Sequence, residues 1–175
     1  MSSRKFLSLF LLCALVPLAA AWASLRFGWF AEAPTVNHGE WLTQELRLLP
    51  APARGGGSWH LVYVPAAEGE PAGRSEQALL ILQQLHAGLG RKQARVQALV
   101  LAAESPPVRA RYPHIEWQAA QVSDAAVQGR IVLVDPRGLA LLRYAVEPGP
   151  QQAQRVAGDI RSDLLRLMNY DRSGV

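Results

Sequence analysis

The chain has 175 residues, 50% of them hydrophobic and 18% charged. That is enough for one domain of ordinary size, and too apolar for a disordered chain. A single cysteine excludes an intramolecular disulfide, a CxxC pair and a Cys-rich zinc site, and a formal charge of +4 points to nucleic acid only until the charges are located.

All fourteen acids lie at or beyond Glu32, whereas Arg4, Lys5 and Arg26 precede it, leaving fifteen basic against fourteen acidic residues in the rest. The body of the chain is therefore near neutral, and no nucleic-acid partner is expected. Phe6 to Leu25 is a run of twenty residues without a charge. At about 1.5 Å per residue it matches the roughly 30 Å hydrocarbon core of a bilayer. Trp22, Phe27, Trp29 and Phe30 gather at its far end, where aromatic rings favour the membrane interface, and Arg4 and Lys5 precede it. The expectation is a single retained transmembrane helix in residues 1–30, contacting lipid through residues 6–25. The N-terminus would be cytoplasmic and the remainder exported, periplasmic in an inner-membrane setting. The competing reading is a cleaved signal peptide with Ala21-Trp22-Ala23 as its site, although the run exceeds the usual apolar stretch of such peptides. Cys13 falls inside the span as an apolar filler.

Residues 31–58 read as a tether and N-terminal extension, with Trp41-Leu42 and Leu46-Arg47-Leu48 as a short extended segment. Residues 59–175 then read as one domain. Trp59 to Val64 is rich in β-branched and aromatic residues and predicts a strand. Ala78, Leu79, Leu82, Leu85, His86 and Leu89 share a helical face, closed by Gly90 and with Ser75 as the predicted N-cap. Arg95 to Ala103 returns to strand, and a helical crossover implies a parallel pair. Between Glu104 and Gln128 three prolines break the pattern, and Trp117 to Val127 predicts a short helix. Ile131 to Val134 and Leu139 to Tyr144 are strands joined by Asp135-Pro136-Arg137-Gly138, a type I turn signature that makes them an antiparallel hairpin. Gln151 to Leu167 is helical, with Val156, Ile160, Leu164 and Leu167 in one stripe and Asp163 assigned to the polar face. The order β-α-β, then β-β-α, is how an α/β thioredoxin-like domain with a central mixed sheet is built, although ferredoxin-like folds also combine βαβ units with hairpins.

Several of these residues resemble a family. Asn37-His38-Gly39-Glu40 after one N-terminal span is similar to the N-x-G-E motif of SCO-like, membrane-anchored thioredoxin-fold proteins associated with cytochrome c oxidase biogenesis. The similarity continues through Trp59 to Val64, Glu76 to Leu79, Gln84-Leu85-His86, Val132 to Gly138, Leu142-Arg143-Tyr144 and Asp163 to Tyr170. In that family a CxxxC pair lies between the first strand and its helix, where paired thiolates handle copper or disulfide chemistry. The resemblance puts the second cysteine on Ser75 and the first on Pro71, and the family's histidine ligand near Val127. None of these residues is Cys or His. The resemblance thus implies a degenerate member without thiol exchange or the family's copper site: not an enzyme, without cofactor, and binding a membrane-protein partner such as the respiratory oxidase or its assembly factors. Pro71, Arg74 and Ser75 are the expected contact face. Two other classes stand beside this reading. One is a copper carrier with a non-Cys site built from His60, His86 or His114 and acids; the other is an envelope scaffold unrelated to oxidase.

Overall fold

The computed structural model describes residues 3–26, 37–52, 57–66, 73–103 and 106–171. The chain divides into two units, Met1–Val36 and Asn37–Val175.

The first unit contains helix α1, Ser3–Arg26, which runs through Pro17 without interruption. Phe10, Leu12, Leu15, Val16, Leu18 and Trp22 on it are all exposed. Among the described residues no helix is long and apolar enough to cross a membrane. The expected transmembrane helix is therefore not shown. The side chains of residues 3–9, 11 and 25 lie outside those described.

The second unit is a six-stranded mixed sheet in the order β1-β6-β5-β2-β3-β4. β1 (Glu40–Arg47) pairs antiparallel with β6 (Leu139–Ala145), and β6 with β5 (Arg130–Val134). β5 lies antiparallel to β2 (Trp59–Val64), which starts the parallel run β2, β3 (Val96–Leu101), β4 (Ile115–Gln118). The connection from β2 to β3 is helix α2 (Arg74–Gly88) followed by a 3-10 helix, Gly90–Arg95. The parallel pair and the hairpin are as the sequence predicts. Asp135 makes the turn: its Oδ1 accepts the amides of Arg137 and Leu139, each at 2.9 Å.

Strand alternation sorts the core into two layers. Trp59, Leu61 and Tyr63 of β2 face α2 and the closing helix α4 (Pro150–Tyr170), through Leu82, Leu85, Ile160 and Leu164. Val62 and Val64 face the other side, where Leu49, Leu99, Val127, Val132 and Val134 form a smaller cluster. Burial of both faces explains why these strands read as almost unbroken apolar runs.

Two expectations change here. The sheet includes residues from the segment 31–58, so the compact unit begins at Asn37 rather than at Trp59. Beyond β1, the amides of Leu48 and Leu49 both donate to the Gly138 carbonyl, and Gly57 lies so close to Pro136 that a Cβ would sit 2.2 Å from its carbonyl oxygen. The helix expected over Trp117–Val127 is absent. Ile115 and Trp117 alternate with Glu116 and Gln118, and this period of two forms edge strand β4 beside β3. Asp124 then holds a turn, its Oδ1 accepting the Ala126 amide at 2.8 Å. The helix in this region lies earlier, as α3 (Pro106–Arg111), where the prolines start it instead of breaking it.

Candidate functional site

The chain enters α2 through Gly73, whose φ of +84° is the left-handed conformation that glycine adopts freely. The Gly73 carbonyl accepts the Gln77 amide at 2.9 Å, closing the first turn. Gly73, and not Ser75, is therefore the N-cap, and no side chain caps the helix. Ser75 lies inside the first turn with its Oγ 3.3 Å from the Tyr63 hydroxyl of β2. Arg74 beside it runs along the turn at Gly129, where a Cβ would approach its Nη1 to 3.1 Å. Glu76 reaches across to Arg111 of α3 at 3.0 Å, a pair exposed enough to contribute little stability. Pro71 lies outside the described residues. This helix start presents a half-buried guanidinium, the Ser75 hydroxyl against the buried Tyr63 hydroxyl, and an exposed ion pair.

A second polar cluster was not predicted as such. Asp163 of α4 is fully buried, not on the polar face. Its Oδ2 accepts three hydrogen bonds, each of 2.9 Å, from the amides of His38 and Gly39 and from the Tyr144 hydroxyl. Gly39 is required there, since a Cβ would lie 2.6 Å from the Tyr144 ring. Glu40 then pairs with Arg143 of β6 at 2.9 Å, and the His38 imidazole lies 3.5 Å from Asp159 of α4. The Asn37–Glu40 motif therefore clasps the start of this unit to its closing helix. Burial first, and the Asp163 carboxylate second, push the Tyr144 phenol well above its ordinary value. The signal for Asp163 was present in the sequence: it stands three residues after Ile160 and four before Leu167, inside the apolar stripe.

The four histidines separate. His38 belongs to the clasp. His60 shares the second face with Val62 and Val64; it is half-buried, and burial pulls its imidazole below the ordinary value against weaker opposing effects of Gln97 and Glu116. His86 and His114 alone come together, with ring centroids 6.2 Å apart. Among the described residues no group of three or more His, Cys, Asp or Glu is placed to hold a metal ion.

The family model described as "transmembrane-like, thioredoxin-like, C-terminal domain" matches residues 59–168. The chain belongs to this family. Among solved structures it is similar to the apo Sco1 protein from Thermus thermophilus, studied in solution. The identity is 17% and the TM-score 0.49, over 77% of this chain and 99% of that one. No curated protein matches it.

In this thioredoxin-like domain, residues 37–175 contain no cysteine at all, because the chain's single one is Cys13 of α1. The hydroxyl of Ser75 cannot substitute for a thiolate in disulfide exchange, which needs a sulfur nucleophile and a sulfur leaving group. A hydroxyl is also a poor match for the soft ions that thiolates select.

Proposed function

We propose that this protein is a membrane-anchored, non-catalytic thioredoxin-like accessory factor that acts by protein binding in the assembly of respiratory cytochrome c oxidase. The observation that carries the reading is the helix start. In a thioredoxin-like domain, the place where α2 begins holds Arg74 and Ser75 instead of thiols, and the whole unit lacks cysteine. What remains there is a polar surface made of the half-buried Arg74 and Ser75 side chains and the exposed Glu76–Arg111 pair. The oxidase itself enters through the similarity of Asn37–Glu40 and the later patches to SCO-like proteins. The membrane anchor rests on the charge-free run Phe6–Leu25, the basic residues before it and the exposed apolar side chains of α1. An anchor of this kind confines the domain near membrane-embedded partners and raises its effective concentration there. The orientation follows from Arg4 and Lys5: N-terminus in the cytoplasm, domain outside the inner membrane.

The test is deletion of the gene, with oxidase activity and the haem and copper content of membranes as readouts. The proposal predicts lower oxidase activity, restored by the full chain. Normal oxidase in the deletion strain, both with and without copper limitation, would count against it.

A further inference from the structure

One end of the sheet collects cations. β2, β3, β4 and β6 begin there, and β1 and β5 end there. Arg47 closes β1, Arg137 stands in the turn before β6, and Arg91, Lys92 and Arg95 lie in the 3-10 helix before β3. The four arginines are exposed and Lys92 is half-buried. Arg47 Nη1 donates to the Arg137 carbonyl at 2.8 Å. Lys92 Nζ donates to the Asn169 carboxamide at 3.1 Å, which brings the last turn of α4 to the same end. Tyr170 in that turn is 79% exposed, more than any other large hydrophobic side chain described. Among the described residues, Arg137 alone of these cations has an acidic partner, Asp135. The remaining acids near this end, Glu45, Glu116 and Asp171, pair with none of the others.

We propose that this end of the domain docks on an anionic phospholipid surface. The cations are spread, not converged: from β1 to β3 is four strand spacings of about 4.8 Å, roughly 19 Å. A small anion would need them gathered around one point, whereas a bilayer offers phosphates across the whole width. Guanidinium groups take phosphate oxygens through two parallel hydrogen bonds, and Lys92 adds a point charge. Tyr170 supplies what a purely electrostatic patch lacks, an aromatic ring with a polar tip, which is favoured at the level of the headgroups. Each basic side chain near an anionic surface strengthens the contact about fivefold, so a few of them suffice for a domain already held nearby. The inference rests on the membrane-anchored reading above, because an anchor keeps the domain within reach of the bilayer. It does not depend on the oxidase as partner.

The test places the full-length protein in nanodiscs of phosphatidylcholine, alone or with about 30% phosphatidylglycerol, each carrying a headgroup spin label. Amide signals are followed by NMR. With the anionic lipid, the amides of Arg91, Lys92, Arg95 and Tyr170 should broaden at least about fivefold more than in phosphatidylcholine alone. Those of Glu147 and Gln152, at the opposite end of the sheet, should not, and about 0.5 M salt should abolish the difference. Arg91→Glu combined with Arg95→Glu, both at exposed positions, should keep the amide pattern of the core and lose the response to phosphatidylglycerol. Equal broadening in the two lipids overturns the proposal and is the result an acidic protein partner would give. Stronger broadening at Glu147 than at Arg95, or an unchanged response of the double variant, overturns it as well. Failure to enter either nanodisc would overturn it together with the anchor reading, whereas the other results leave the anchor standing.

Discussion

A carboxylate inside a helix–sheet core is tolerated only where hydrogen bonds replace its lost hydration. Asp163 meets that condition through Oδ2 alone, which gathers two backbone amides and a phenol hydroxyl, while its buried Oδ1 has no hydrogen-bond partner. Asp163→Ala removes the acceptor and leaves three donors unpaired, two of them buried, a loss expected at about 3–5 kcal/mol, whereas Asp163→Asn keeps an oxygen and should lose about 1–2 kcal/mol. Urea unfolding of the two variants measures this, and a loss below about 1 kcal/mol for the alanine variant would contradict the clasp. Tyr144 sets the behaviour in alkali. Its phenol is raised above the ordinary 10.0 in the folded state, so the folded protein keeps a proton that the unfolded chain releases. That contribution is intact below pH 10 and declines as pH rises beyond it, by up to about 1.4 kcal/mol per pH unit. Tyr144→Phe should flatten this alkaline decline in a series of thermal melts; an equally steep decline in the variant would assign it to other groups.

Elements whose signal is local were legible: β2, α2, the turn at Asp135 and the hairpin it closes all stand where apolar period and turn chemistry put them. Elements defined by their neighbours were harder to read. β4 has four residues, too few for periodicity to outweigh the helix formers after it, and its strand state comes from pairing with β3. β1 was read only as an extended segment, because its pairing residue lies more than ninety positions away, as in Glu40 opposite Arg143. Ser75 has the chemistry of a cap, but the left-handed turn at Gly73 starts the helix two residues earlier. Two glycine variants separate backbone conformation from crowding. Gly73→Ala meets no atom within 4 Å and pays only for positive φ, about 1 kcal/mol. Gly138→Ala, also at positive φ, would place a Cβ 2.2 Å from the Leu49 carbonyl oxygen, and should lose at least about 2 kcal/mol more. Equal melting temperatures for the two would refute the close approach of the 48–50 segment to the hairpin.

For the molecule as a whole, the distribution of charge and sulfur was the most readable property. Three of the four net positive charges reside in the basic residues around an apolar run, and the single thiol lies in that run, outside the thioredoxin-like unit. An integral anchor predicts that the protein stays with the membrane pellet after alkaline carbonate extraction and is released only by detergent; release by carbonate would contradict it. The meeting of His86 and His114 was not legible, since neither spacing nor period links a helix end to a turn twenty-eight residues away. The central claim, assembly by contact and not by thiol chemistry, is tested most directly by oxidase activity in membranes of three strains: the deletion, the deletion carrying Cys13→Ser, and the deletion carrying Arg74→Glu. The account predicts full activity with the wholly thiol-free Cys13→Ser protein, and deletion-level activity with Arg74→Glu. Loss of activity on replacing Cys13, with Arg74→Glu remaining fully active, would contradict it.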